Sequence, residues 1–293
     1  LTEITFDVEQ YFRSAVEDYV ALSGKTLSKV ATPFAPRIDG ESLDALLAER
    51  GDMAEHAAHC VMKLMYGARM ALPYLCVIVS RLSSQIARWT KDSDRRLHRV
   101  YCFLNYALDI KLKGSLSTAD WGSLKLIAWP DADLNGDYMD TKSTSGFFLE
   151  LVGERGRGMP LAWGAKKQGC TAVHTAEAEV VSMAACVRSE LLPMQALLEL
   201  IFQRPIDCEV REDNAAAIVS VTKGYSPAMR HLPRTQRVSL GFLHEVFMAE
   251  PQEGEGRVRV MKAETDEHRG DAFTKELETH KFTNALELLR MRR

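Results

Sequence analysis

Four acidic stretches of this 293-residue chain have the types and spacing that chemistry could use. They are Asp131-Ala132-Asp133, the pair in Thr175-Ala176-Glu177-Ala178-Glu179, Glu212-Asp213-Asn214 and Gly270-Asp271-Ala272. Each falls at the end of a strand-like run or the start of a helix-like one. Carboxylates gathered from distant positions suit a hard divalent cation such as Mg2+, which takes oxygen ligands and keeps several waters. Two such ions about 4 Å apart stabilise the attacking and leaving oxygens of an in-line phosphoryl displacement. Four carboxylates offset most of their charge, and without metal they repel one another and raise at least one pKa. The pattern leaves two choices open. Asp131 and Asp133 share a strand face. Glu177 and Glu179 lie about 200° apart on a helix, so only one can face a common site, and the apolar stripe aligns Glu177, not Glu179, with Val180 and Ala184. Any one of these acids is equally at home as a cap or a solvated turn residue. Spacing alone therefore reaches metal-dependent phosphoryl transfer and stops there.

The elements that must position these acids lie in the last 175 or so residues, after a change of character near Gly114. Residues 123–129, 144–152 and 159–164 read as three strands of an antiparallel meander, with Asn135-Gly136 as a turn and the first strand ending at Pro130. A helix opens at Thr175, a good cap with acids in its first turn. Its stripe is Val180, Ala184, Val187, Leu191, Met194, Leu198 and Ile201, and Pro193 should kink or divide it. Then come a strand over 206–210, a helix over 214–222, a loop over 224–233, a helix over 235–249, a strand over 257–262 and a closing helix over 270–289. The order β-β-β-α-β-α-α-β-α makes an α/β fold, a mixed sheet flanked by helices. Sites in such sheets lie at the strand carboxyl ends, where Asp131 and Asp213 fall.

The first third is mostly helical. A short alternating piece (Ile4, Phe6, Val8) precedes a helix over 9–23, and helical spacing resumes from about 43 to 112, with Asp92 or Ser93 as the cap of its last helix. No Tyr/Phe-x-Asp-Asp polymerase signature occurs in it. At 46% apolar and 26% charged residues the composition is that of a globular protein, and the length favours two domains. The longest apolar run, Met70 to Ser80, contains Pro73 and is about half of the roughly 20 residues a bilayer span needs. Leu1 opens the chain with neither methionine nor a basic-then-apolar leader, the expectation for a piece of a longer, intracellular polypeptide. Cys60, Cys76, Cys102, Cys170, Cys186 and Cys208 form no CxxC pair and are expected to be reduced thiols. The net charge of −3 does not advertise a nucleic-acid binder. A metal cage, however, concentrates acids while bases cluster elsewhere.

Six motifs then occur in one order: Asp131-Ala132-Asp133, Thr141-Lys142-Ser143-Thr144-Ser145-Gly146, Trp163-Gly164-Ala165-Lys166-Lys167-Gln168, Thr175-Ala176-Glu177-Ala178-Glu179, Glu212-Asp213-Asn214-Ala215-Ala216-Ala217-Ile218 and Asp271-Ala272-Phe273-Thr274-Lys275. This series resembles the ribonuclease H domain of copia-type LTR retrotransposon Pol polyproteins. Residues from about 53 to 114 also resemble, more weakly, the end of the reverse transcriptase that precedes it. The resemblance implies a ribonuclease H-like mixed five-stranded sheet over residues 119–293 and a mostly helical reverse-transcriptase remnant, thumb- or connection-like, over 1–118.

It further implies hydrolysis of the RNA strand of an RNA–DNA hybrid with two Mg2+ or Mn2+ ions. Carried over residue by residue, the metal ligands and catalytic residues are Asp131, Glu179, Asp213 and Asp271. Glu179 is favoured because Ser182 and Cys186, three and seven positions on, fit a face packed on the sheet. Hybrid binding needs positive charge along phosphates and contacts to 2′-hydroxyls. Lys166, Lys167, Arg230, His231, Arg234 and Arg237 supply the charge, and Asn214 stands with them as a substrate contact. The implied partners are the hybrid and the remainder of the Pol polyprotein, with no membrane, in an intracellular, cytoplasmic virus-like particle with a nuclear stage. Arg237-Val238-Ser239-Leu240-Gly241 departs from the family, which carries a histidine and further charges there. His268, three residues before Asp271, is placed either to shuttle a proton or, more plainly, as a solvated loop histidine. Two alternatives remain: an inactive hybrid-binding or connection remnant of a decayed element, and an integrase-like nuclease.

Overall fold

The computed structural model describes residues 1–136 and 141–293. The chain divides into two compact units, Thr5–Leu112 with Glu276–Arg293, and Leu1–Ile4 with Lys113–Lys275. This differs from a simple division at 118/119, because the last eighteen residues belong with the helices of the first third.

β1 (Thr2–Phe6) and α1 (Glu9–Ser23) lie where alternation and helical spacing put them. α1 buries Phe12, Ala15, Val16 and Tyr19, a stripe at three- and four-residue steps, and ends at Gly24, whose left-handed φ of 64° a side chain would strain. α2 (Glu41–Ala48), α3 (Ala57–Met70), α4 (Cys76–Gln85) and α5 (Lys91–Ala107) complete the helical run. The cap of α5 is Thr90 rather than Asp92 or Ser93. Thr90 has extended backbone and forms a reciprocal capping box with Ser93, while Asp92 and Ser93 are buried in the first turn. Tyr19 stacks on Tyr101 at 4.1 Å between ring centres.

In the other unit β2 (Lys111–Leu116), β3 (Lys125–Asp133), β4 (Thr144–Val152), β5 (Gly158–Lys167), β6 (Cys208–Glu212) and β7 (Val258–Lys262) give the strand order β1-β2-β5-β4-β3-β6-β7. The five strands β5-β4-β3-β6-β7 form a mixed five-stranded sheet. β3, β4 and β5 run antiparallel, while β6 runs parallel to β3 and β7 parallel to β6. β1 and β2 extend the sheet beyond β5. β3 does not stop at Pro130. Its pairing with β6 ends at Ala128, so beyond that point only β4 is a neighbour, and an imino acid is tolerated where one side of a strand is open. Asn135 then makes the turn in the left-handed region.

α6 (Thr175–Cys186) crosses from the meander to β6 and buries Val180, Met183 and Ala184 in one core with Leu126, Ala128, Leu149 and Val210 of the sheet. A π-helical turn over Val187–Leu191 joins it to α7 (Leu192–Phe202), the division that Pro193 demands. Ile201, at the end of the stripe, is exposed. The cap of α6 is His174, whose Nδ1 accepts from the Glu177 N–H at 3.1 Å, because Thr175 is already helical. α8 (Ala215–Lys223) and α9 (Leu232–Thr235) follow, and α10 (Leu240–Met248) starts five residues later than a helix from Thr235 would. Arg237 takes a left-handed φ of 56° and Ser239 caps the new start.

The closing helix is also split, into α11 (Asp271–Thr274) and α12 (Thr279–Leu288). α12 belongs to the helical unit, where Phe282 packs edge-on against Phe34, Tyr74 and Phe103. β8 (Met291–Arg292) pairs antiparallel with Lys111 and Leu112. Among the described residues no helix is long and apolar enough to cross a membrane.

Candidate metal centre

β3, β6 and β7 are parallel, so their carboxyl ends meet at one edge of the sheet, and the acids collect there. Asp131 is the third residue from the end of β3, opposite Gly146 of β4. A side chain at 146 would meet the Phe273 Cβ at 2.5 Å, so glycine lets α11 lie directly on β4 beside Asp131. Ser182 ties α6 to the same point. Its hydroxyl lies 2.7 Å from the Asp131 carbonyl and 3.2 Å from that of Gly146. One turn before Ser182, Glu179 is thereby aimed at Asp131. Asp213 follows β6, just before Asn214 caps α8 by accepting from the Ala216 and Ala217 N–H groups at 3.0 Å.

Among the described residues, two groups of ligand atoms result. Asp131, Glu179 and Asp213 each offer one carboxylate oxygen within 4.8 Å of the others, and Asp131, His268 and Asp271 do the same with a ring nitrogen among them. Asp131 is common to both. It is 1% exposed and Glu179 is 3% exposed, yet among the described residues Glu179 Oε2 has no hydrogen-bond donor and Asp131 Oδ1 has only the distant Lys275 ammonium before it. Buried carboxylate oxygens without donors are costly unless a cation faces them, and the all-oxygen donor set of the first group is that of a hard divalent ion. The residues fit such ions on those grounds.

The electrostatics agree. Burial, then the negative charge of Asp131, Glu212 and Asp213, pushes the Glu179 carboxyl up to about 11. Burial, helped by Asp131 and Asp213, pushes Glu212 up to about 8, and burial and Asp131 raise Asp271. A single ammonium answers these acids. Lys275 Nζ lies 2.5 Å from Asp271 Oδ1 and 3.5 Å from Asp131 Oδ1. Although burial opposes its charge, Asp131 and Asp271 hold Lys275 above its ordinary value. Thr274 donates its hydroxyl to Asp131 Oδ2. A cleft of about 480 Å3 opens over the acids, lined by Ala132, Asp133, Leu134, Thr175, Glu179, Asp213, Asn214 and Lys275.

The structure places the members of the two open pairs differently. Asp131 enters both ligand groups, whereas Asp133 lies at the rim of the cleft. Glu177 is fully buried but faces away from the acids. Its carboxylate accepts from the Val173 N–H at 3.0 Å and lies 3.0 Å from His231 Nε2. His231 therefore braces the start of α6. Arg230 is held on the Tyr225 hydroxyl at 2.8 Å, and Arg234 is exposed. Lys166 and Lys167 end β5, opposite Ser145 and Thr144. Behind them Gln168 is buried and donates to the Ser145 hydroxyl and the Ala178 carbonyl, both at 2.9 Å, pinning the basic turn to α6. Asn214 spends its side-chain oxygen on the α8 cap.

His268 is no solvated loop residue. It is 3% exposed, with Nε2 2.9 Å from the Arg211 carbonyl and its ring edge-on to Trp129. Sequence reading also missed Glu212, a fifth acid at the edge whose Oε1 accepts from the Asn214 N–H at 3.0 Å. Its place next to Asp213 was the available signal. The roles of Thr274 and Lys275 were likewise carried, unread, in the motif that supplies Asp271.

No family model matches the chain. Over 292 residues, 97% of its length, it is 25% identical to the retrovirus-related Pol polyprotein from transposon TNT 1-94 of Nicotiana tabacum, and it spans 20% of that protein. A crystal structure of RNase H1 from the halophilic archaeon Halobacterium salinarum NRC-1 aligns over 56% of this chain and 98% of its own, at 17% identity and a TM-score of 0.31. Over nearly its whole length, then, this chain is similar to about a fifth of a retrotransposon Pol polyprotein.

Proposed function

We propose that this chain is the ribonuclease H region of a copia-type Pol polyprotein, hydrolysing the RNA strand of RNA–DNA hybrids with two divalent ions, Mg2+ or Mn2+. The observation that carries it is the pair of ligand groups sharing Asp131 at the carboxyl edge of the sheet. When bound, such ions supply an activated water and neutralise charge on the leaving 3′-oxygen. The chain's own part is to hold Asp131, Glu179, Asp213 and Asp271 as ligands on four separate elements of the fold. Lys275 keeps the acids together until ions replace it, and Asn214 and the bases at 166, 167, 230 and 234 lie along the hybrid, with His231 bracing them through Glu177. Residues up to about 118 are the end of the preceding reverse transcriptase, and the working partners are the hybrid and the rest of the polyprotein, in an intracellular particle.

The test is cleavage of a labelled hybrid by the purified chain. Cutting with Mg2+ or Mn2+, leaving 5′-phosphate ends and lost in Asp131→Asn and Asp213→Asn, is the expected result. A chain that binds the hybrid and leaves it intact with either ion is not a nuclease.

A further inference from the structure

The carboxylates above account for an all-oxygen centre, but the second group contains a nitrogen. His268 is almost wholly buried, and among the described residues its Nδ1 has no hydrogen-bond partner. A ring nitrogen of His268 lies within 4.8 Å of ligand oxygens of Asp131 and Asp271, and Nδ1 is the nitrogen on the side of Gly270 and Asp131. The other ring nitrogen settles what Nδ1 has to offer. Nε2 faces the Arg211 carbonyl at 2.9 Å, and a carbonyl oxygen accepts only, so Nε2 carries the hydrogen. In the neutral ring Nδ1 is then a bare lone pair. A backbone carbonyl fixing one nitrogen so that the other can bind metal is the usual support of a ligand histidine. A merely structural histidine buried to this degree would be expected to use both nitrogens.

The surroundings are built for the approach. The carbonyl comes from Arg211 in β6, and Trp129 of β3 meets the ring edge-on, with ring centres 5.8 Å apart, so the imidazole has little freedom to turn. Gly270 separates the ring from Asp131. A Cβ there would lie 2.5 Å from the Asp131 Cβ and 3.0 Å from His268 Nδ1, so only a residue without a side chain allows both to reach one point.

We propose that His268 Nδ1 is a metal ligand at the position shared by Asp131 and Asp271, and that it tunes this position toward first-row transition ions such as Mn2+ over Mg2+. This rests on the two-ion reading above and adds a nitrogen to it. Imidazole is a good donor to Mn2+ and the ions beyond it, whereas Mg2+ favours oxygen and water. The two positions of the centre then differ, with oxygen ligands at Glu179 and Asp213 and a mixed set at His268 and Asp271.

Pulsed electron paramagnetic resonance of the full chain loaded with Mn2+ tests this without reference to cleavage. Nitrogen hyperfine coupling from one imidazole is the expected result, absent in His268→Gln. Titrations of Mn2+ and Mg2+ should show Mn2+ held about tenfold more weakly by that variant, with Mg2+ affinity moving much less. Bound Mn2+ without nitrogen coupling in the unaltered chain overturns the proposal, whatever becomes of the variant's folding, and leaves the carboxylate centre standing. Coupling that survives in His268→Gln overturns it as well, and a chain that binds no Mn2+ at all sinks both the ligand and the centre.

Discussion

The two units each bury a cluster of charge, and the clusters are built on opposite plans. In the helical unit signs alternate. Glu276 accepts from Arg81 and Arg96 at 2.7 Å each, Arg96 also faces Asp92 at 3.4 Å, and Asp92 takes Arg95 at 2.7 Å. In the sheet unit Asp131, Glu179, Glu212, Asp213 and Asp271 crowd around one ammonium, and among the described residues Glu179 and Glu212 each keep an oxygen without a donor. Where signs alternate, each charge has a partner of the other sign, and removing one member leaves an uncompensated charge. An unbalanced one stores repulsion that only a cation from outside relieves. The difference is between charge paired within the fold and like charge left crowded at one edge.

Substitution should give opposite signatures in the two clusters. Asp131→Asn should lower hybrid cleavage by about a thousandfold or more, on the order of 4 kcal/mol of barrier, while raising the melting temperature in chelator, because one repelling charge is gone. A variant that loses both activity and stability would erase the contrast. Asp92→Ala should do the reverse. It breaks a buried pair and should destabilise the protein by about 3 kcal/mol in denaturant titrations, with the cleavage rate of the folded fraction unchanged.

Acidity sharpens the comparison further. Glu212 and Glu179 have folded pKa values raised to about 8 and about 11 from an ordinary 4.5. The native state therefore holds protons that the unfolded chain releases above its own value near 4.5. Their contribution is full below that pH and is lost as pH rises through 8 and then toward 11. Melting temperature in chelator should fall by several degrees from pH 5 to pH 9, and saturating Mn2+ should flatten the slope by favouring the charged carboxylates. A flat profile in chelator would mean the acids do not repel as their burial implies. The smallest effect belongs to Glu177→Gln. With its hydrogen bonds partly kept, cleavage should fall by less than about tenfold and stability by about 1 kcal/mol, against near-complete loss of activity in Glu179→Gln.

How much of this was legible depended on whether the deciding interaction was local. β4 begins and ends where alternation places it, and the division of α6 from α7 follows from the missing N–H of Pro193. Pro130 misled because its tolerance depends on which side of β3 lacks a neighbour, a property of the sheet and not of the heptapeptide around it. Thr175 looked like a cap because hydroxyls commonly are, and His174 took the part through a ring nitrogen. Helical phase could not choose between Glu177 and Glu179, since both are buried and the difference lies in a partner, His231, 54 residues on. His268 was misread for the same reason. Its burial comes from a carbonyl in β6 and a tryptophan in β3, neither visible from its neighbours in the chain.

The return of residues 276–293 to the helical unit has a practical corollary for anyone cutting this molecule apart. The sheet unit is almost wholly an insertion within the helical one, which the chain leaves after Leu112 and rejoins at Glu276. A fragment started at residue 119 would carry α12 with Phe282 stripped of Phe34, Tyr74 and Phe103, an apolar flap with nothing to cover it. A nick at 112/113, conversely, would leave the helical unit in two pieces joined through strand pairing of Lys111 and Leu112 with β8 and through aromatic packing.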